Sequence, residues 1–441
     1  MRIVILCLAL IAALPLNTTS AFDRYTAHGG PIKGLAYSEK LDLLVSTSFD
    51  YTAVVWDSGS MKELKQLIGH NAAVNTAAFS PDGRWLATAG DDNQILLWDV
   101  STLRDPQVQS VPRRLDGHTA KVVDLAFSAD GKYLASASWD RRVGIWDISA
   151  LKLKRYLSGH QGPVNAAQFS GDGLYVYSGG ADGHIRLWKF TTGEYLRSVV
   201  RNGFGINVMH LSPELNVLAY GGSNGMMRSI SINADGSEIE LWNGGPPVLA
   251  VTIDPQTKKM IFSTSEGRVL IADALVGEIQ HDFRAVKGPI WAMQLANAGE
   301  DLFFAGLDDW VTKISVNDFI VPHPLADRER RFHPDQPIDN GQKQFARKCS
   351  VCHSLTVSSK RRAGPTLYGV FGRKVGAVED YPYSKELTEM DLIWNEETID
   401  LLFKDGPDIV TPGSKMPVQR IKDKQDRADL ISFLKRATAP Q

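Results

Sequence analysis

Cysteine is nearly absent from this chain. Its 441 residues hold three, Cys7, Cys349 and Cys352, which excludes a disulfide framework. Long apolar runs are equally scarce. One exists, Ile3 to Leu16, at the extreme N-terminus, and it is too short to span a bilayer comfortably. Arg2 precedes it and the small residues Thr19, Ser20 and Ala21 follow it, the pattern of a secretory signal peptide over residues 1–21. Cys7 lies inside the run and not at its end, which argues against a lipoprotein anchor. The expectation is therefore an exported, periplasmic chain with no integral membrane segment after cleavage. In that oxidising compartment only Cys349 and Cys352 remain to be explained. A strong charge of one sign is also missing. The formal net charge is −2. Residues 22–324 carry a net −6 and residues 336–441 a net +3. Neither part is basic enough to point to nucleic acid. Opposite signs can help the two parts dock or steer a partner to one of them.

What is abundant is repetition. A Gly-His pair recurs at Gly69-His70, Gly117-His118 and Gly159-His160, with His28 as an altered first copy. A Trp-Asp pair recurs at Trp56-Asp57, Trp98-Asp99 and Trp146-Asp147, with Trp188-Lys189 as a variant. Successive tryptophans stand 42, 48 and 42 residues apart. Six positions before each stands an aspartate (Asp50, Asp92, Asp140, Asp182), and ten before, a hydroxyl residue (Ser46, Thr88, Ser136, Ser178). Between these marks the chain reads as short β-strands separated by turns such as Pro81-Asp82-Gly83.

These features resemble the WD-repeat propeller family. The resemblance implies a tetrad of His, Ser/Thr, Asp and Trp hydrogen-bonded within each four-stranded blade. It also implies a structural role for His28, His70, His118 and His160. Counting on by 42 from Trp188 reaches Ile230, Ala272 and Ile314, with Asn224, Glu266 and Asp308 six positions before them. The expected fold is thus an all-β, seven-bladed propeller over residues 22–318, four blades well marked and three degenerate. Residues 22–26 precede His28 where an outer strand belongs, and pairing with the last blade would close the ring.

Past Ser315 the β-pattern stops. Residues 319–340, rich in proline and charge, read as a linker. Then comes Cys349-Ser350-Val351-Cys352-His353. Cys-x-x-Cys-His is the attachment signature of haem c: two thiols form thioethers with the haem, and the adjacent histidine reaches the iron. A zinc site would want a second cysteine pair, which the chain lacks. A thioredoxin-like redox pair is disfavoured by the immediate histidine.

Residues 341–441 resemble the class I cytochrome c family, the mitochondrial type above all, and predict an all-α domain. The motifs are the entering helix at Gly341–Phe345, Gly364-Pro365 after the histidine, Gly369, Gly372 and Arg373, and the loop Pro412-Gly413-Ser414-Lys415-Met416-Pro417. The resemblance implies one covalent haem c, with His353 and Met416 as its axial metal ligands. It implies that the Pro365 carbonyl accepts the His353 ring N–H, and that Arg373, Tyr383 and Trp394 face the haem propionates. Ser414 and Phe403 stand where Thr and Tyr are usual. Asp426 to Arg436 reads as an amphipathic helix packing near Phe345. With both axial positions filled, such an iron passes single electrons and binds no substrate. The expected activity is electron transfer to redox partner proteins, with no catalytic residue, and the propeller as their docking scaffold. Lys343, Lys348, Lys374 and Lys415 can ring the haem edge and attract an acidic partner. Two other functions fit the same sequence: an oxidoreductase with a haem-fed site in the propeller, and a haem-based redox sensor. His184, His210 and His281 fall in different blades and give the first of these no clustered ligand set.

Overall fold

The computed structural model describes residues 23–233, 236–316, 339–357, 361–379 and 381–439. The expected signal peptide lies outside them, and so does the expected linker apart from Asp339 and Asn340. The described strands form seven four-stranded antiparallel sheets, the blades of a propeller. The first blade runs through Ile32–Ser38, Leu43–Ser48, Thr52–Asp57 and Glu63–Ile68, each strand pairing with the next. The last blade takes Ile290–Ala296, Asp301–Gly306 and Trp310–Ser315 from the end of the repeat region and Asp23–Thr26 from its start. Asp23 stands opposite Lys313, and Thr26 opposite Trp310. This ties the two ends of the ring together and pairs the edge that each would otherwise expose.

The tetrads of the first four blades are complete. In the first, Trp56 Nε1 donates to Ser46 Oγ at 2.8 Å, Ser46 to His28 Nε2 at 2.7 Å, and His28 Nδ1 to Asp50 at 3.0 Å. Thr88, Ser136 and Ser178 join the corresponding His and Trp in the next three blades. Both nitrogens of each imidazole are engaged, so these histidines hold the blades and bind no metal.

Blades five to seven solve the same packing problem without the shared Ser/Thr hydroxyl, and in the fifth the Tyr220 hydroxyl donates to Glu238 instead. Tyr220, Phe262 and Phe304 stand where the tetrad hydroxyl would be, and Ile230, Ala272 and Ile314 where the Trp would be. All six are buried. The aromatic bulk has moved to the neighbouring strand. Another mark runs through all seven blades. Ile32, Val74, Val122, Val164, Ile206, Val248 and Ile290 open the innermost strands, are buried, and are each followed by a register shift. A β-branched side chain suits this pleated, enclosed position, and the bulge re-aims the residues after it.

Among the described residues the C-terminal domain has five helices: α1 (Asn340–Lys348), α2 (Lys385–Glu389), α3 (Glu396–Asp405), α4 (Pro407–Val410) and α5 (Lys424–Ala437). Helix α1 crosses α5 at Gly341, where a Cβ would lie 2.3 Å from the Asp429 carbonyl oxygen. Phe345 and Phe433 pack across the crossing with ring centroids 5.5 Å apart. Leu430 and Leu434 of α5 join Ile399 and Leu402 of α3 in one apolar core with Phe345. Among the described residues no helix is long and apolar enough to cross a membrane.

Candidate functional site

Helix α1 begins on an Asp339 cap, whose carboxylate accepts from the Gln342 N–H at 2.8 Å. It ends at Cys349, and the turn continues: Cys352 N–H and His353 N–H both donate to the Cys349 carbonyl, at 3.1 and 2.9 Å. The two thiols and the imidazole are thereby presented toward one cavity of about 570 Å³. That volume lies within the roughly 300–1,000 Å³ range of small-molecule and cofactor sites. The lining is mostly apolar, with Leu367, Val370, Ile399, Leu402 and Phe403 among its walls.

His353 is held from behind. Its Nδ1–H donates to the Pro365 carbonyl at 2.7 Å, leaving Nε2 for the cavity. Gly364 packs against the imidazole so closely that a Cβ there would lie 2.4 Å from Cε1. Burial lowers the His353 pKa and so favours the neutral ring. Burial also pushes the Cys349 thiol up to about 12 and the Cys352 thiol up to about 11. Neither forms a disulfide. Two neutral thiols facing an apolar hollow, with no partner for each other, fit thioether attachment of a flat apolar cofactor.

Across the cavity Ser414 Oγ accepts the Met416 N–H at 3.1 Å and shapes the loop that brings Met416 to the lining. Arg373, Tyr383 and Trp394 also line it. Arg373 donates to the Tyr368 and Thr366 carbonyls at 2.8 and 2.6 Å, and its own carbonyl accepts the Trp394 N–H at 2.9 Å. Every sequence-predicted site residue (Cys349, Cys352, His353, Pro365, Arg373, Tyr383, Trp394 and Met416) therefore borders one cavity. Of the four lysines expected at its edge, Lys348 and Lys415 line it, and Lys374 lies 3.5 Å from Asp391.

The sequence reading missed part of the wall. Phe49, Tyr51, Ala72, Ala73 and Asp91 of the first two blades line the same cavity. A signal existed: the first repeat reads Ala27-His28-Gly29, where its successors have Gly-His followed by a larger polar residue. Elsewhere in the propeller, His184 bonds to Ser198 at 3.1 Å, and burial lowers His210 to about 4. Among the described residues no group of three or more His, Cys, Asp or Glu is placed to hold a metal ion.

Comparison with known proteins agrees with both halves. The profile of the family described as WD domain, G-beta repeat matches residues 20–57, 61–99, 109–147 and 151–189. The profile described as Cytochrome c matches residues 338–438. The cytochrome c of Sesamum indicum is 40% identical over 107 residues, covering 24% of this chain and 95% of that protein. That of Theileria parva is 37% identical over 106 residues (24% and 90%), and that of Gossypium barbadense 41% over 100 residues (22% and 88%).

Proposed function

The chain belongs to the cytochrome c family through residues 338–438, and from that premise we propose that it is an exported, single-haem electron carrier of the class I type. The observation that carries this reading is the convergence of Cys349, Cys352, His353 and Met416 on one cavity. The two cysteines would hold haem c covalently, and His353 and Met416 would ligate its iron. A haem so held supplies reversible one-electron exchange between ferric and ferrous iron, and a neutral thioether on one side raises its potential. The chain's own residues do the rest. Pro365 fixes the imidazole tautomer and orientation. Arg373, with Tyr383 and Trp394 beside it, supplies positive charge and donors where the propionates would lie. Phe403, Leu402 and Ile399 keep water from the interior face.

The propeller would serve as the docking scaffold for redox partners, and the leader over residues 1–21 would direct the chain to the periplasm. Trp139 supports docking: it is 46% exposed on the propeller surface, with the Lys121 ammonium 3.5 Å from its ring centroid. Aromatic and basic groups of this kind anchor protein interfaces.

The test is direct. The purified chain should carry one iron, in a haem that resists extraction by acidified organic solvent, and should be low-spin. Met416→Ala should convert it to a high-spin spectrum. A high-spin wild type, or a spectrum indifferent to that substitution, overturns the carrier. Fractionation and the mature N-terminus, expected at Phe22, test export. Affinity capture from the periplasm tests docking.

A further inference from the structure

At the tight turn of each of the first four blades, the residue after the tetrad aspartate has a positive φ. Asn93 (φ 66°), Arg141 (71°) and Gly183 (78°) occupy three of these turns. The first blade places a tyrosine there, Tyr51, at φ 71°. A bulky aromatic in the left-handed region is disfavoured, and such outliers persist where something else holds them. Tyr51 is also only 6% exposed although it sits at a turn tip. What covers it is the C-terminal domain. Its hydroxyl donates to the Ala363 carbonyl at 2.9 Å, and Tyr381 donates to the same oxygen. Ala363 begins the Ala363-Gly364-Pro365 segment that backs His353.

A second contact grips the opposite loop. Lys415, next to Met416, donates to the Asn71 carbonyl of the second blade. Between the two, Gly29 meets Arg361 so closely that a Cβ would lie 1.9 Å from the Arg361 carbonyl oxygen. Gly29 has no positive φ to explain it. Its N–H donates to Asp50, a bond any residue but proline can make. The glycine is thus required by the approach of the other domain and not by the blade.

Resting on the haem reading above, we propose that the first two blades are a fixed wall of the haem site, with Tyr51 and Lys415 as positioning residues for the two loops that carry His353 and Met416. The propeller is then part of the cofactor pocket as well as a platform beside it. It closes the open side of the cavity and restrains both ligand loops.

The experiment compares the full-length holoprotein with Tyr51→Phe and Gly29→Val. Tyr51→Phe keeps the ring and loses the bond to Ala363. Gly29→Val drives the domains apart and leaves the Asp50 bond available. The first readout is the rate at which added imidazole displaces Met416 from the ferric protein. It should rise about threefold to tenfold in Tyr51→Phe, the span of one lost hydrogen bond, and further in Gly29→Val. The second is amide exchange of residues 361–369 in the same full-length protein as purified. It should rise in Gly29→Val while the strands of blades three to six stay unchanged. Unchanged imidazole rates and unchanged exchange in both variants overturn the wall. A wild type without methionine-ligated haem overturns the carrier reading instead, and the exchange measurement still decides whether the domains touch as described.

Discussion

At the residue scale, small side chains carry as much of the site as the motif residues do. Gly364 admits His353 because it has no Cβ. Gly364→Ala should destabilise the C-terminal domain by about 1–3 kcal/mol, the usual cost of overpacking, and lower haem incorporation. Denaturant unfolding of that domain and haem content per chain check this. Phe403 stands where a hydroxyl is usual and is buried in the cavity wall. Phe403→Tyr should shift the reduction potential while leaving the fold intact, and voltammetry beside a thermal melt reads both. Cavity residues such as Cys349, Cys352 and Met416 were legible because they stand in short, recognisable motifs. Tyr51 and Gly29 were not, because their roles arise from a surface supplied by residues more than 300 positions away.

At the element scale, the blade is the unit, and two different interiors fill it. In the marked blades one hydroxyl serves two partners: Ser136 receives from Trp146 at 2.8 Å and bonds His118 at 2.7 Å. Ser136→Ala strands both, at about 1–3 kcal/mol for each buried group left unpaired. In the sixth blade Phe262 holds the equivalent place, fully buried. Phe262→Ser should not rebuild a tetrad, since Ala272 and Glu266 stand for Trp and Asp, and should cost about 3–5 kcal/mol as a large-to-small core change. Thermal and denaturant melts of the two variants discriminate these cases. Strand periodicity and the tetrad marks made four blades plain in the sequence. The other three were found by counting on to positions set among apolar strands, because an interior without the tetrad needs shape and volume and not particular polar atoms. The β-branched residues at the innermost strands would have marked all seven.

At the scale of the whole molecule, ring stability depends on pH through groups that pull in opposite directions. Burial lowers His160 from 6.5, so its contribution is present above that pH and is lost as pH falls. Asp182 is held at about 2, against 3.8 unfolded: burial opposes this, and the Gln161 N–H and His160 outweigh it. Its contribution is lost as pH falls from about 4 toward 2. Asp124 does the reverse. Desolvation on the innermost strand of the third blade pushes it up to about 7, although the Ala167 and Leu125 N–H groups favour its charged form. Its contribution is full below 3.8 and is lost as pH rises through about 7. The propeller should therefore melt progressively lower on acidification below about pH 4. Asp124→Asn should stabilise it more at pH 8 than at pH 4, and calorimetry across that range measures both. Ring closure belongs to this scale too. Removing the strand Asp23–Thr26 leaves Trp310–Ser315 as an open edge, and the variant should melt lower and self-associate.

The sequence alone determined the two domains, the blade count and the place of the Cys-x-x-Cys-His motif. Those depend on local patterns: a repeat period, a strand alternation, a five-residue attachment signature. The tertiary structure decided how the domains meet. It set the aromatic turn of the first blade and the Asn71 carbonyl of the second against the two ligand loops. It also chose between polar and apolar blade interiors of the same shape. Contacts of that kind are fixed by surface fit between distant segments, and no period or motif within either segment encodes the other's position.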